Sequence, residues 1–153
     1  MTASPLVEQI ATLYRAGRRR EALDACRRLL AFERGRADVM ALAGKIAMEL
    51  GEVAEAAAQY AAAVALKPDF AEAQYNLGNA LMKLGRGEEA VAAYRRAARL
   101  RRDLVPAHVN LGNALYALGR YDEAVASYRR AVTLAPAAAE PHRNEIVVRS
   151  SKP

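Results

Sequence analysis

The sequence predicts an all-α solenoid of stacked antiparallel helix pairs, and two observations predict it. The first is a beat of 34 residues. Gly17, Gly51, Gly85 and Gly119 stand at that spacing, as do Ala22, Ala56, Ala90 and Ala124, and Phe32, Leu66, Leu100 and Leu134. The second is composition: alanine is the commonest apolar residue, Trp is absent, and Thr, Ile and Phe are scarce, which favours helix and argues against a sheet. A unit this short cannot bury its apolar surface alone and must stack on its neighbours. The beat divides a single domain, 1–153, into units at about 3–36, 37–70, 71–104 and 105–138, followed by a terminal helix at about 139–149.

Each unit splits into two helices at its glycine, since glycine past a helix end takes the left-handed backbone needed there without a Cβ penalty. The first unit has Gln9-Ile10 where the others carry Ala43-Gly44, Leu77-Gly78 and Leu111-Gly112, so its two helices are expected to sit further apart or pack differently. Its Cys26 stands where the others have Tyr60, Tyr94 and Tyr128, and reads as a packed, inert thiol. One cysteine excludes an internal disulfide framework and a multi-cysteine metal site.

The second unit runs through Ala56 and Tyr60 to Pro68, which cannot continue a helix. In the third, Ala73, Leu77, Leu81 and Leu84 step along one face before Gly85, and Ala90, Tyr94, Ala97 and Leu100 form the expected buried stripe of the second helix. Glu88-Glu89 here and Asp122-Glu123 in the fourth unit suit the positive N-terminal end of a second helix. Beyond the fourth unit, Ala139-Glu140-Pro141-His142 returns in register with Val105-Pro106-Ala107-His108, and Glu145-Ile146 then breaks the pattern. This reads as a capping helix with Pro141 in its first turn, or as the start of a longer chain.

Several chemistries find no support. The net charge of +6 and the pairs Arg27-Arg28, Arg95-Arg96 and Arg129-Arg130 form a basic stripe interrupted by Ala61-Ala62, which fits a solvated face better than specific nucleic-acid binding. No stretch approaches the roughly 18 apolar residues of a membrane span, and the N-terminus lacks the pattern of a secretory signal, so a cytoplasmic location is expected. Gly85, Gly87 and Ala90 mimic a dinucleotide fingerprint, but that motif works only between a strand and a helix. His108 and His142 lack a third ligand at suitable spacing, so no metal is expected. No nucleophile stands with a base and an orienting acid, and neither catalysis nor a cofactor is expected.

What remains is an amide ladder. Asn76 and Asn79 recur as Asn110 and Asn113, each pair three residues apart on one helix face, a face that also carries Glu72 and Lys83 and is expected to lie opposite the buried leucines. Asparagine costs roughly half a kcal/mol against alanine inside a helix. Its side chain donates and accepts, as an extended peptide main chain requires, although a solvated face copied by duplication would give the same pattern.

Leu77-Gly78, Ala90 and Tyr94, and again Leu111-Gly112, Ala124, Tyr128 and Pro136, resemble the tetratricopeptide repeat motif, and Ala43-Gly44, Ala56, Tyr60 and Pro68 follow it. The resemblance implies a right-handed superhelix of four units and a terminal helix, with the first helices lining a concave surface. The NLGNAL segments look most like the superhelical repeats of protein O-GlcNAc transferases. By that resemblance Asn76, Asn79, Asn110 and Asn113 hold a peptide main chain, flanked by Tyr75, Met82 and Tyr116. A likeness to the carboxylate clamp of co-chaperone tetratricopeptide domains matches at Asn79 and Asn110. It departs at Tyr75, Glu140 and Asn144, where that clamp carries basic residues, with Arg143 adjacent. The expected function is a non-catalytic scaffold for a protein or peptide ligand. The alternatives are the substrate-selecting front of a larger transferase and a clamp of the co-chaperone type. The chain is expected to be a monomer, or to self-associate weakly through its repeat ends, near Ile146, Val147 and Val148.

Overall fold

The computed structural model of the chain describes residues 5–134. The expected terminal helix, with Glu140, His142, Arg143, Asn144 and the Ile146 segment, lies outside the described residues. Within them the chain forms eight α-helices and no strand: α1 (Pro5–Arg15), α2 (Arg19–Phe32), α3 (Ala37–Glu49), α4 (Val53–Leu66), α5 (Ala71–Lys83), α6 (Gly87–Leu100), α7 (Val105–Ala117) and α8 (Tyr121–Leu134). Each helix packs on its neighbours in the chain; in addition α3 touches α5 and α5 touches α7, whereas successive second helices do not meet. First helices that approach while second helices splay make a curved stack, with α3, α5 and α7 on its inner side.

The turns follow from glycine. Gly17, Gly51, Gly85 and Gly119 all have φ between +74° and +79°. Around Gly85, its own N–H donates to the Met82 carbonyl at 3.0 Å and the Arg86 N–H donates to the Leu81 carbonyl at 2.9 Å, which satisfies two carbonyls left over at the end of α5. Helices α2, α4 and α6 then begin without a side-chain cap. In three units the arginine before the helix instead grips a glutamate of its first turn: Arg18 with Glu21, Arg86 with Glu89, and Arg120 with Glu123. The acidic residues expected to complement the helix end therefore also close an arginine fork.

Alanine and glycine set how closely the helices approach. Ala22, Ala56, Ala90 and Ala124 are fully buried. A Cβ added to Gly78 would lie 2.5 Å from the Tyr94 ring, one at Gly112 2.6 Å from Tyr128, and one at Gly44 2.9 Å from Tyr60. The glycine is thus the seat of the tyrosine ring of the second helix. In the first unit Ile10 occupies the glycine register and Cys26 the tyrosine register, both fully buried. The large and small partners have changed places, so this pair packs differently, as expected, and stays closed. Burial pushes the Cys26 thiol up to about 11, against a backbone hydrogen bond that lowers it, so the sulfur is protonated at neutral pH.

Two residues of the expected buried stripes are exposed. Leu84 follows directly on α5 and Leu100 ends α6, where the chain leaves the stack, and Phe32 and Leu66 at the ends of α2 and α4 are exposed as well. Leu118, in the register of Leu84, comes within 3.1 Å of where a Cβ of Gly87 would stand.

Candidate functional site

The inner side of the stack carries two adjoining hollows. One, of about 290 Å³, is lined by Lys45, Met48, Glu49, Tyr60, Glu72, Asn76 and Asn79. The other, of about 450 Å³, is lined by Met48, Asn79, Met82, Lys83, Tyr94, Asn110 and Asn113. Met48 and Asn79 border both, so the hollows form one groove across α3, α5 and α7. The structure brings together all four asparagines of the ladder, with Met82 and Lys83, on the groove walls.

Asn79, Asn110 and Asn113 are tied into the fold rather than merely solvated. The Tyr94 hydroxyl donates to Asn79 Oδ1 at 2.5 Å, and the Tyr128 hydroxyl donates to Asn113 Oδ1 at 2.5 Å. Asn110 Nδ2 donates to the Tyr75 hydroxyl and to Asn79 Oδ1, both at 3.0 Å. Both acceptor sites of Asn79 Oδ1 are thereby taken, and both amino hydrogens of Asn110 are committed. This leaves Asn79 with its amino group and Asn110 with its carbonyl oxygen. Asn76 is half-buried, with no hydrogen bond from its side chain among the described residues. Burial pushes the phenols of Tyr60 and Tyr94 up, so both remain protonated donors.

The two outlying tyrosines differ. Tyr75 is built into the wall: it is half-buried, its ring stands 6.0 Å from that of Tyr94, and its hydroxyl receives Asn110. Tyr116 is exposed and meets the Tyr121 ring edge-on at 5.0 Å. It keeps the register of Met48 and Met82, one unit further on. Arg143 lies outside the described residues.

Sequence reasoning missed the tyrosine–asparagine bond. The signal was present in the repeat itself, since Asn79 and Asn113 precede Tyr94 and Tyr128 by the same 15 residues, while Ala11 stands before Cys26, which has no hydroxyl. His108 proves to be a tie within the fold: it is buried, and its Nε2 lies 3.1 Å from the Arg102 carbonyl, which makes Nε2 the protonated nitrogen. Gln74, one unit earlier, reaches the Pro68 carbonyl at 3.5 Å in the same way.

The groove walls mix charges, with Lys45 and Lys83 against Glu49 and Glu72. On the outer side, many arginines are matched to acids of the adjoining unit: Arg20 with Glu52, Arg27 with Glu55, Arg95 with Glu123, and Arg120 with Glu88. The basic stripe is therefore partly neutralised in place. Among the described residues no group of three His, Cys, Asp or Glu could hold a metal ion, and no helix is long and apolar enough to cross a membrane. Gly85, Gly87 and Ala90 join helix α5 to helix α6, not a strand to a helix.

Known proteins fit this geometry. The chain superposes on a crystal structure of MamA with a TM-score of 0.82 at 23% identity, covering 89% of this chain and 77% of that one. For MamA from Desulfovibrio magneticus the TM-score is 0.85 at 20% identity, with 95% and 83% covered. YrrB, described as a TPR protein with an unusual peptide-binding site, gives 0.80 at 22% identity, with 91% and 72% covered. At these identities the likeness establishes the shared fold. No curated protein sequence matches significantly. The TPR repeat profile matches residues 44–85 and 78–119, and the tetratricopeptide repeat profile matches 105–137. With its glycine-seated tyrosines, its helix pairs and these matches across more than half of its length, the chain belongs to the tetratricopeptide repeat family.

Proposed function

We propose that the chain is a non-catalytic scaffold that holds an extended segment of another protein in the groove across α3, α5 and α7. The observation that carries this reading is the hydrogen-bonded asparagine network. Tyr94, Asn79, Asn110 and Tyr75 fix one another, so the amino group left on Asn79 and the carbonyl left on Asn110 are held in place before any ligand arrives. A main chain offers one acceptor and one donor per residue, and a preorganised amide wall meets both without choosing side chains. Met48 and Met82 supply adaptable apolar contact beside it. The mixed charge of Lys45, Lys83, Glu49 and Glu72 favours a main chain over a terminal carboxylate, which would need an unopposed positive field.

The test uses Asn76, since its side chain holds no other part of the fold. Calorimetric titration of a partner peptide, mapped by pull-down, should show Asn76→Ala losing about 0.5–1.5 kcal/mol of affinity, the net worth of a hydrogen bond. Its melting temperature should stay level or rise, because alanine is the better helix former. Undiminished binding by Asn76→Ala and also by Lys83→Ala and Met82→Ala would remove the groove as the site.

A further inference from the structure

A third hollow, of about 410 Å³, opens between α4 and α6 on the side away from the asparagine groove. It is lined by Ala61, Val64, Ala65, Pro68, Gln74, Arg96, Arg99 and Leu100. Its origin is legible in the repeat. Where the other units carry Arg27-Arg28, Arg95-Arg96 and Arg129-Arg130, the second has Ala61-Ala62, and the loss of those long side chains uncovers an apolar floor. From Ala56 to Leu66 the wall formed by α4 contains no charged residue at all.

Charge and hydrogen bonding define the occupant. Arg27 and Arg95 are each engaged by an acid of the next unit, whereas Arg96 and Arg99 are exposed and have no ion pair among the described residues. The α4 wall offers them no carboxylate. Gln74, only 4% exposed, donates from Nε2 to the Pro68 carbonyl, and its Oε1 is buried without a hydrogen-bond partner among the described residues. A buried acceptor left unmatched is costly and is relieved by a donor brought into the hollow.

We propose that this outer hollow is a second docking site, taking a short acidic peptide segment of a partner protein. An apolar side chain of the segment rests on Ala61, Val64, Ala65 and Leu100, neighbouring carboxylates meet Arg96 and Arg99, and a main-chain N–H reaches Gln74 Oε1. Nucleic acid is the poorer fit, because the lining holds no aromatic ring for a base to stack on and two guanidiniums make no track for a phosphate backbone. The site is independent of the asparagine groove and separately testable.

The probe is a fluorescein-labelled octapeptide of alternating Asp and Leu, followed by anisotropy at low and at physiological ionic strength. Comparators are an Asp/Ser peptide, a Lys/Leu peptide and a single-stranded oligonucleotide of the same charge. Ala61→Arg restores the side chain that other units carry and fills the hollow; Arg96→Glu with Arg99→Glu reverses its charge. All three positions are exposed, and melts check that each variant folds. The parent should bind the Asp/Leu peptide in preference to all comparators and more weakly as salt rises. Arg96→Glu with Arg99→Glu should weaken it by about tenfold or more, as expected for loss of charge-assisted hydrogen bonds, and Ala61→Arg should weaken it by occupying the apolar floor, while Asn76→Ala leaves it unchanged. Absence of binding to the parent, equal binding of the oligonucleotide or of the Asp/Ser peptide, or a loss confined to Asn76→Ala would each overturn the proposal.

Discussion

The first and third units solve the same packing problem in opposite ways. In the third, Gly78 on α5 seats the Tyr94 ring of α6; in the first, Ile10 on α1 fills the space and Cys26 on α2 yields it. Both crossings are closed, and total side-chain volume is what they conserve. The difference lies in what else each crossing does. Tyr94 carries a hydroxyl through the stack to Asn79 on the groove wall, whereas neither Ile10 nor Cys26 has a group that could do so. The glycine–tyrosine version costs backbone freedom at Gly78 and gains a polar anchor for the inner surface. The first unit closes its own crossing without supplying the hydroxyl that anchors the groove wall.

Exchanging the two solutions should produce the largest effect. Gly78→Ile places a side chain where even a Cβ would lie 2.5 Å from the Tyr94 ring, a ring held by burial and by Asn79, so it cannot swing aside freely. We expect a loss of about 1–3 kcal/mol or more in denaturant unfolding. Adding Tyr94→Cys, which recreates the pairing of the first unit, should recover a substantial part of that loss. A double variant no more stable than Gly78→Ile alone would show that volume exchange is not what distinguishes the two units.

Much of this is legible in the sequence. The helix pairs, the left-handed glycines and the buried alanines follow from a beat that local chemistry alone can read, because each glycine and alanine serves its own turn or crossing. Leu84 and Leu100 keep the apolar beat yet are exposed, because helical periodicity assigns a face but does not say where the neighbouring helix stops. The asparagines stand out because they recur, yet the bonds of Asn79 and Asn113 to Tyr94 and Tyr128 join residues on two helices, and spacing along one helix face does not reveal them. The outer hollow has no signature of its own in the sequence because it is made by what is missing. Ala61 and Ala62 read as a break in a basic stripe, and only the packing of α4 beside Arg96, Arg99 and Gln74 turns that break into a space.

A smaller effect separates the second unit from the third. Tyr60 and Tyr94 are both buried over a glycine, but Tyr94 donates to Asn79, while Lys45 stands in the asparagine register beside Tyr60, whose hydroxyl makes no hydrogen bond among the described residues. Tyr94→Phe should therefore cost about 0.5–1.5 kcal/mol in thermal or denaturant unfolding, and Tyr60→Phe close to nothing. Tyr94→Phe should also loosen Asn79, seen as faster exchange of its side-chain amide protons by NMR. Equal costs at the two positions would mean that the hydroxyl bond contributes nothing beyond ring burial.

The smallest effect concerns how the first unit is held to the second. Arg19, Arg20 and Arg27 reach across to Glu49, Glu52 and Glu55, and the fork from Arg27 to Glu55 holds that carboxyl below its ordinary range, chiefly by hydrogen bonding. A group with a depressed folded pKa contributes stability that is present above its unfolded value and is lost as pH falls through the folded one. The stability gap between the parent and Glu55→Gln should therefore be widest near neutral pH and close as the solution is acidified below the ordinary carboxylate range. Arg27 is well exposed, so solvent and salt screen the pair, and the gap at neutral pH should be only about 0.2–1 kcal/mol. Because each unit of a solenoid contacts only its neighbours, local opening of the first unit reports this gap more sensitively than global unfolding does. Hydrogen exchange of α2 amides at neutral pH should be faster in Glu55→Gln than in the parent, with α6 amides unchanged. A gap that persists at acid pH, or a change that appears equally in α6, would mean that the cross-unit fork is not what fastens the first unit to the stack.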